Sequence, residues 1–302
     1  MDMTLRVLDP GLHSLIVDFG RGGYRSLGVP VGGAADRAAL AIGNALVGNP
    51  PDAAAVEITL SGPTLQPGDE LACVVYGAPF DLESDRQPLR AGKTFTLRPH
   101  ETLQIRGTIG GMRAYLCVRG GLQRPLVLGS RSALEPLHAG EEIPCTPGTI
   151  HGRFLRLNGM GNRDPKTLRV VDGPQASWFD AQEFYGQELA VSPASDRMGL
   201  RLTGAALTVP ARELLSEPVS PGAVQVTRDG QCIVLGVDGQ TIGGYPKIAH
   251  VISADLDKLG QLRPGDPIRF VHSTLEEAET AYRRKQIELH EWLTRLQVTL
   301  GG

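Results

Sequence analysis

The chain has 302 residues, 41% hydrophobic and 21% charged, with 30 basic against 33 acidic residues and a net charge of -3. That length and apolar content support a packed core in one large domain or two ordinary ones, and exclude wholesale disorder. The balanced charge argues against nucleic acid and against a polybasic membrane surface as partners.

Residues 1–20 read as a strand and a Gly-rich loop, with no cationic segment ahead of an apolar run, so no signal peptide is expected. No stretch approaches the roughly 18 apolar residues of a spanning helix. A helix is expected from about Asp36 to Val47: Ala38, Ala39, Ile42, Ala45 and Leu46 share one face, Asp36 stands at its start and Gly48 at its stop. Short runs rich in β-branched residues follow between Gly and Pro, including Leu71–Tyr76, Thr94–Leu97, Thr102–Arg106, Arg113–Val118, Leu168–Val171 and Gln231–Gly236. Many short strands between turn signals predict an all-β class, mostly β with a few helices, in barrels or sandwiches. The polar stretch from Asn158 to Pro165 is the best linker, placing two domains at 1–165 and 166–302.

A weak internal echo supports two related units. Asp36-Arg37-x-x-Leu40 recurs as Asp196-Arg197-x-x-Leu200, and Leu60-Ser-Gly-Pro-Thr-Leu65 as Leu202-Thr-Gly-Ala-Ala-Leu207. At the C-terminus, Thr274 and Glu277 form a capping box. Leu275, Ala278, Tyr282, Leu289, Leu293 and Leu296 then recur at helical spacing, predicting an amphipathic helix docked on a body.

Cys73, Cys117, Cys145 and Cys232 are far apart, and no two form a C-x-x-C pair. Buried reduced thiols and a cytoplasmic location are the expectation. Seven scattered histidines give no metal spacing, so no metal is expected. Ala91-Gly92-Lys93-Thr94 resembles the tail of a phosphate loop, but position 87, where the motif begins with Gly, holds Gln. Gly129-Ser130-Arg131-Ser132 is not a nucleophile elbow. None of the five Met precedes Lys, so biotin, if used, arrives on another chain.

Four segments are distinctive together: Gly20-Arg-Gly-Gly-Tyr24 through Gly28–Arg37 to Asn44–Pro50 and Glu57; Arg119-Gly-Gly121 with Leu128–Ser132; Ser195–Arg201; and Asp238–Ile248 with Gln261–Asp266. In this order the chain resembles the allophanate-hydrolase-subunit-2 family, which includes KipA, the C-type component of prokaryotic 5-oxoprolinase (PxpC) and the carboxyltransferase half of urea amidolyase. The resemblance covers about Val7 to Phe270. It implies two cyclophilin-like β-barrel domains. It also implies a KipI-like (PxpB-like) small subunit and, in 5-oxoprolinase, a LamB/YcsF-like (PxpA-like) subunit. Val17-Asp18 stands where the pattern has Gln-Asp, Ala35 where a larger residue is usual, and Gly239 and Ile242 interrupt the Asp238 loop; these departures bear on the substrate.

The implied activity is that of one subunit of an ATP-dependent amidohydrolase opening a small amide or lactam such as 5-oxoproline. Carboxyl transfer to a urea-like nitrogen is the alternative, and a KipA-like antagonist of a kinase inhibitor, performing no chemistry, is a third. The loop from Asp238 to His250 gathers an acid (Asp238), an amide (Gln240), a hydroxyl (Thr241), a phenol (Tyr245), an ammonium (Lys247) and an imidazole (His250) around Gly243-Gly244. Such a set suits a carboxylate or an oxyanion, with Asp238, Lys247 and His250 as the catalytic candidates. A glycine-rich hairpin with surface charges is the alternative. In an unbroken strand Lys247 and His250 face opposite ways, so only a bulge brings both to one pocket. Ser195, Asp196 and Arg197 are further binding candidates or a turn clamp. Arg131 is an anion contact or a surface turn.

Overall fold

A computed structural model describes residues 3–157 and 166–298. Contacts divide them into two compact units, one of residues 3–20, 36–157 and 288–298, the other of residues 21–35 and 166–287. The division is therefore not one cut in the chain. Residues 21–35 group with the second unit, and the last helix contributes to both. The expected linker, Asn158 to Pro165, lies outside the described residues.

In the first unit, two five-stranded antiparallel sheets enclose one core. One runs Glu142–Cys145, Met3–Asp9, Thr64–Pro67, Leu103–Thr108, Phe80–Ser84. The other runs Ser14–Val17, Ala55–Thr59, Arg113–Val118, Leu71–Gly77, Phe95–Leu97. Among the described residues no strand pairing joins them; the two sheets pack around their shared apolar faces. Leu5, Val7, Leu65 and Ile105 meet Val56, Ile58, Cys73 and Leu116 there.

Leu71–Gly77 and Arg113–Val118 are buried along nearly their whole length. They read as continuous apolar runs because both faces are covered. Cys73 and Val75 enter the core, while Tyr115 and Cys117 lie on the other face, where helix Arg37–Val47 packs. That helix begins as expected: Asp36 Oδ1 accepts from the Ala39 amide at 2.9 Å, and Gly48 ends it at φ 84°. Gly43 lets it approach closely, since a Cβ there would stand 2.7 Å from Cys117 Sγ. Asn49 closes the turn behind the helix, donating to Val118 O at 2.7 Å and Asn44 Oδ1 at 3.0 Å.

The second unit holds a closed seven-stranded barrel, in the order Thr167–Asp172, Lys247–Val251, Ala223–Val226, Cys232–Leu235, Gly199–Thr203, Leu189–Val191, Pro267–His272. Parallel pairing of the first and last strands, Leu168 against Phe270, closes it. Leu168, Val170, Leu202, Val224, Val234, Val251 and Phe270 fill the interior. A separate two-stranded ribbon, Glu217–Pro218 with Ile242–Gly243, carries the glycine-rich loop.

Helix Leu275–Val298 starts with the predicted capping box, Thr274 N donating to Glu277 Oε2 at 2.9 Å and Glu277 N to Thr274 Oγ1 at 3.2 Å. Its covered face is the predicted one in part: Ala278, Leu289, Leu293 and Leu296 are half-buried. Leu275 and Tyr282 are exposed, and the single buried side chain is Lys285. The Lys285 ammonium, 2.6 Å from Asp257 Oδ2 and 3.1 Å from Ala254 O, is satisfied by polar groups, so a lysine occupies the covered position. Among the described residues no helix is long and apolar enough to cross a membrane.

Candidate functional site

The turn Ser195–Arg201 is built by its own side chains. Asp196 Oδ1 accepts from the amides of Met198 at 2.8 Å and Gly199 at 3.1 Å. The Ser195 hydroxyl accepts from Arg201 N at 3.0 Å and donates to Arg201 O at 3.3 Å. This order aims Arg197 out of the turn. Its Nε lies 2.6 Å from Asp238 Oδ2, and its Nη2 lies 3.2 Å from Asp238 Oδ1 and 2.7 Å from Gly33 O. The Arg197 side chain is 9% exposed and that of Asp238 35%, so a nearly buried guanidinium anchors a half-open carboxylate. Gly239 follows because there is no room for more: a Cβ would meet Met198 O at 2.9 Å and Gly236 O at 3.0 Å. Close packing thus explains a glycine that departs from the family pattern.

Lys247 and His250 do share a face, through a bulge. Val224 pairs with Ala249, but the next residue, Gln225, pairs with Lys247, which makes Ile248 the extra residue. Ile248 and Ala249 both enter the barrel core, leaving Lys247 and His250 outside it. The two still take separate partners, both on the segment 217–220. Lys247 Nζ is paired with Glu217, and its backbone amide donates to Gln175 Oε1 at 2.9 Å. The hydrogen bond from Lys247 holds the Glu217 carboxyl below its ordinary value.

His250 Nδ1 lies 2.9 Å from Val251 O and Nε2 lies 2.9 Å from the Ser220 hydroxyl. Since a carbonyl only accepts, Nδ1 carries the proton and Nε2 accepts from Ser220. Burial lowers the imidazole pKa, against the Val251 bond that raises it, so the ring is a neutral base.

The rest of the loop borders a cavity of about 680 Å³ lined by Gln240, Gly244 and Tyr245 together with Trp178, Arg212 and Arg228. The Arg212 guanidinium lies 5.3 Å from the centre of the Trp178 ring. Thr241 is buried, its carbonyl accepting from Val219 N at 2.9 Å, and has a structural place in the ribbon. Sequence reasoning missed Glu217, Ser220, Gln175, Trp178, Arg212 and Arg228. Each reaches the loop from 30 or more residues away or through an irregular segment, and no local pattern marks such a pairing.

Arg131 belongs to the first unit. There Asp18 accepts from the Ser130 hydroxyl at 2.6 Å, the Ser132 hydroxyl at 2.7 Å, Arg131 N at 2.6 Å and Gly20 N at 2.7 Å. Burial pushes the Asp18 carboxyl up, but these bonds outweigh it and hold it below its ordinary value. Among the described residues no group of three or more His, Cys, Asp or Glu gathers as a metal site.

A mostly-β chain with one closed barrel and a glycine-rich loop carrying acid, amide, phenol and ammonium fits a carboxyltransferase-type domain. A family model, "Carboxyltransferase domain, subdomain A and B", matches residues 27–272, and the chain belongs to that family.

Among curated relatives, the C-type component of 5-oxoprolinase from Escherichia coli K12 is 34% identical over 313 residues, covering 97% of this chain and 98% of that protein. The Haemophilus influenzae protein of the same name is 34% identical over 299 residues, covering 94% and 96%. Urea amidolyase of Saccharomyces cerevisiae is 28% identical, with 95% of this chain covering 17% of that one. Among solved structures, Kluyveromyces lactis urea amidolyase matches with a TM-score of 0.87 at 26% identity, over 96% of this chain and 20% of that chain. TTHA0988 matches at 0.80 and 33%, over 89% and 56%.

Proposed function

We propose that this chain is the C-type component of a 5-oxoprolinase complex, which opens the ring amide of 5-oxoproline to glutamate. The observation that carries the reading is the near end-to-end similarity to the Escherichia coli 5-oxoprolinase component, 34% identical across 97% of one chain and 98% of the other. The loop supports it with chemistry suited to a small acid bearing an amide. Tyr245 and Gln240 offer hydrogen bonds at the cavity, Arg212 and Arg228 supply positive charge there, and the neutral His250 can take a proton from Ser220 or a water. Asp238 is fixed by Arg197 as an acceptor. Ser195 and Asp196 act through Arg197 by shaping its turn.

ATP belongs to the proposed reaction, but the loop makes no open phosphate cradle: Lys247 faces Glu217 and Arg197 faces Asp238. In this reading nucleotide is held by the partner chains, a KipI-like (PxpB-like) and a LamB/YcsF-like (PxpA-like) subunit, in the cytoplasm. The test is 5-oxoproline-dependent ATP hydrolysis by the co-expressed partners with and without this chain. Turnover that does not need the chain refutes the reading.

Carboxyl transfer to a urea-like nitrogen is a second reading, favoured by the structural match to urea amidolyase at a TM-score of 0.87. It requires biotin on another chain. Carboxylation of urea by this chain with a biotinylated partner, and no effect on 5-oxoproline, would select it.

A further inference from the structure

The segment Ala91-Gly92-Lys93-Thr94 borders a second cavity, of about 370 Å³, formed within the first unit. Arg90, Lys93 and Arg98 line it, and Glu70 is the one carboxylate among its lining residues. The cavity thus carries an excess of positive charge in a chain whose net charge is -3. All three cations are exposed, and among the described residues none of them has an ion-pair partner. The Arg90 guanidinium lies 4.5 Å from the centre of the Phe154 ring. The frame around them is fixed. Buried Glu101 accepts from Gln87 Nε2 and from Arg98 N, each at 2.8 Å, so its carboxylate braces the segment through an amide and the backbone and leaves the Arg98 guanidinium unpaired. Thr94 Oγ1 accepts from Arg153 N at 2.7 Å and Thr96 Oγ1 from Ile150 N at 3.0 Å, which ties the chain around residue 150 to the strand beside the cavity.

We infer that this cavity is a binding site for a small phosphate-bearing anion. A concave surface lined by one sign of charge concentrates counter-ions. Arginine forks take phosphate oxygens in pairs, and lysine adds a point charge. The volume lies at the small end of ligand pockets, which suits a diphosphate or a small phosphorylated molecule. The mode is not that of a phosphate loop. The amides of Gly92, Lys93 and Thr94 donate to Val75 O, Arg90 O and Arg153 O, so the backbone there is spent and the side chains do the binding. The inference stands apart from the amide-opening reading and from the loop of the second unit.

The experiment titrates pyrophosphate into the full chain by calorimetry at about 0.15 M salt, where screening weakens loose surface attraction. The expected result is saturable one-to-one binding. Lys93→Gln and Arg98→Gln should each weaken it about tenfold, the loss of one charge-assisted contact. Both variants should fold with an unchanged melting temperature, since neither side chain has an ion-pair partner in the fold. Inorganic phosphate and AMP, titrated in the same way, separate the sources, and either supports the site. Tighter inorganic phosphate identifies the free ion, and tighter AMP a phosphoryl group on a larger molecule. Heat that never saturates, or binding untouched by both variants, overturns the site. Arg212→Gln is the control at the other cavity: binding lost there and kept in Lys93→Gln and Arg98→Gln places the anion in the second unit and overturns the inference. Citrate bound as tightly as pyrophosphate overturns the choice of phosphate.

Discussion

Arg197 and Asp238 meet across 41 residues of sequence in a two-pronged pair, 2.6 Å and 3.2 Å, in which the arginine is nearly buried and the carboxylate half open. The pair joins the turn that follows Ser195 to the start of the glycine-rich loop. The aspartate is therefore both a structural partner and an acceptor presented to solvent.

Asp238→Ala should consequently cost stability as well as turnover. Breaking a largely buried pair by removing one partner costs about 3–5 kcal/mol, and the open side of Asp238 places this case lower, about 2 kcal/mol. Chemical denaturation of the isolated chain checks it. The loop's sequence alone suggests that the substitution spares folding; an unchanged midpoint would restore that simpler view.

Lys247 is the contrasting case. Removing it leaves behind Glu217, whose side chain is 38% exposed and returns to water. Lys247→Ala should therefore abolish turnover of the complex while the chain still folds, as judged by circular dichroism and complex assembly. Turnover close to wild type would remove Lys247 from the site.

Helix Arg37–Val47 tests the packing of the first unit. Gly43→Ala forces a methyl to within 2.7 Å of Cys117 Sγ and 3.3 Å of Tyr76 Cβ. Overpacking of this kind costs about 1–3 kcal/mol. Combining it with Cys117→Ala should recover part of the loss, because the sulfur is the nearest obstacle. Strict additivity of the two changes would show that the contact is not the cause.

The pH dependence follows from His250. Its pKa is lowered from 6.5 by burial, so protonation favours the unfolded chain. The stability it contributes is complete above about 6.5 and is lost as pH falls from there through the lower folded value. His250→Gln should flatten the stability profile in that window while leaving it unchanged above neutrality. Identical slopes for the two proteins below pH 6.5 would contradict the neutral, buried imidazole.

Much of this was legible in the residues. Asp36, Gly48, Thr274 and Glu277 mark helix ends through local capping chemistry, and the β-branched runs mark strands, because those signals act within a few positions. Lys247 and His250 needed a bulge to share a face, and the bulge at Ile248 depends on the register with Val224 and Gln225, which no single strand reveals. The one fully buried position of the last helix was missed for a related reason: Lys285 looks like a solvent residue until Asp257 and Ala254 are found beside it. Glu217 lies in a segment without strand periodicity, so its meeting with Lys247 is a product of the folded ribbon.

If the chain is the C-type component of a 5-oxoprolinase, the complex cannot open 5-oxoproline without it. The measurement is glutamate formed from 5-oxoproline and ATP by the co-expressed KipI-like and LamB/YcsF-like subunits, with this chain present or withheld. Glutamate that appears only with the chain is the predicted result. Equal glutamate without it, or none in either case while the three chains assemble, would contradict that role.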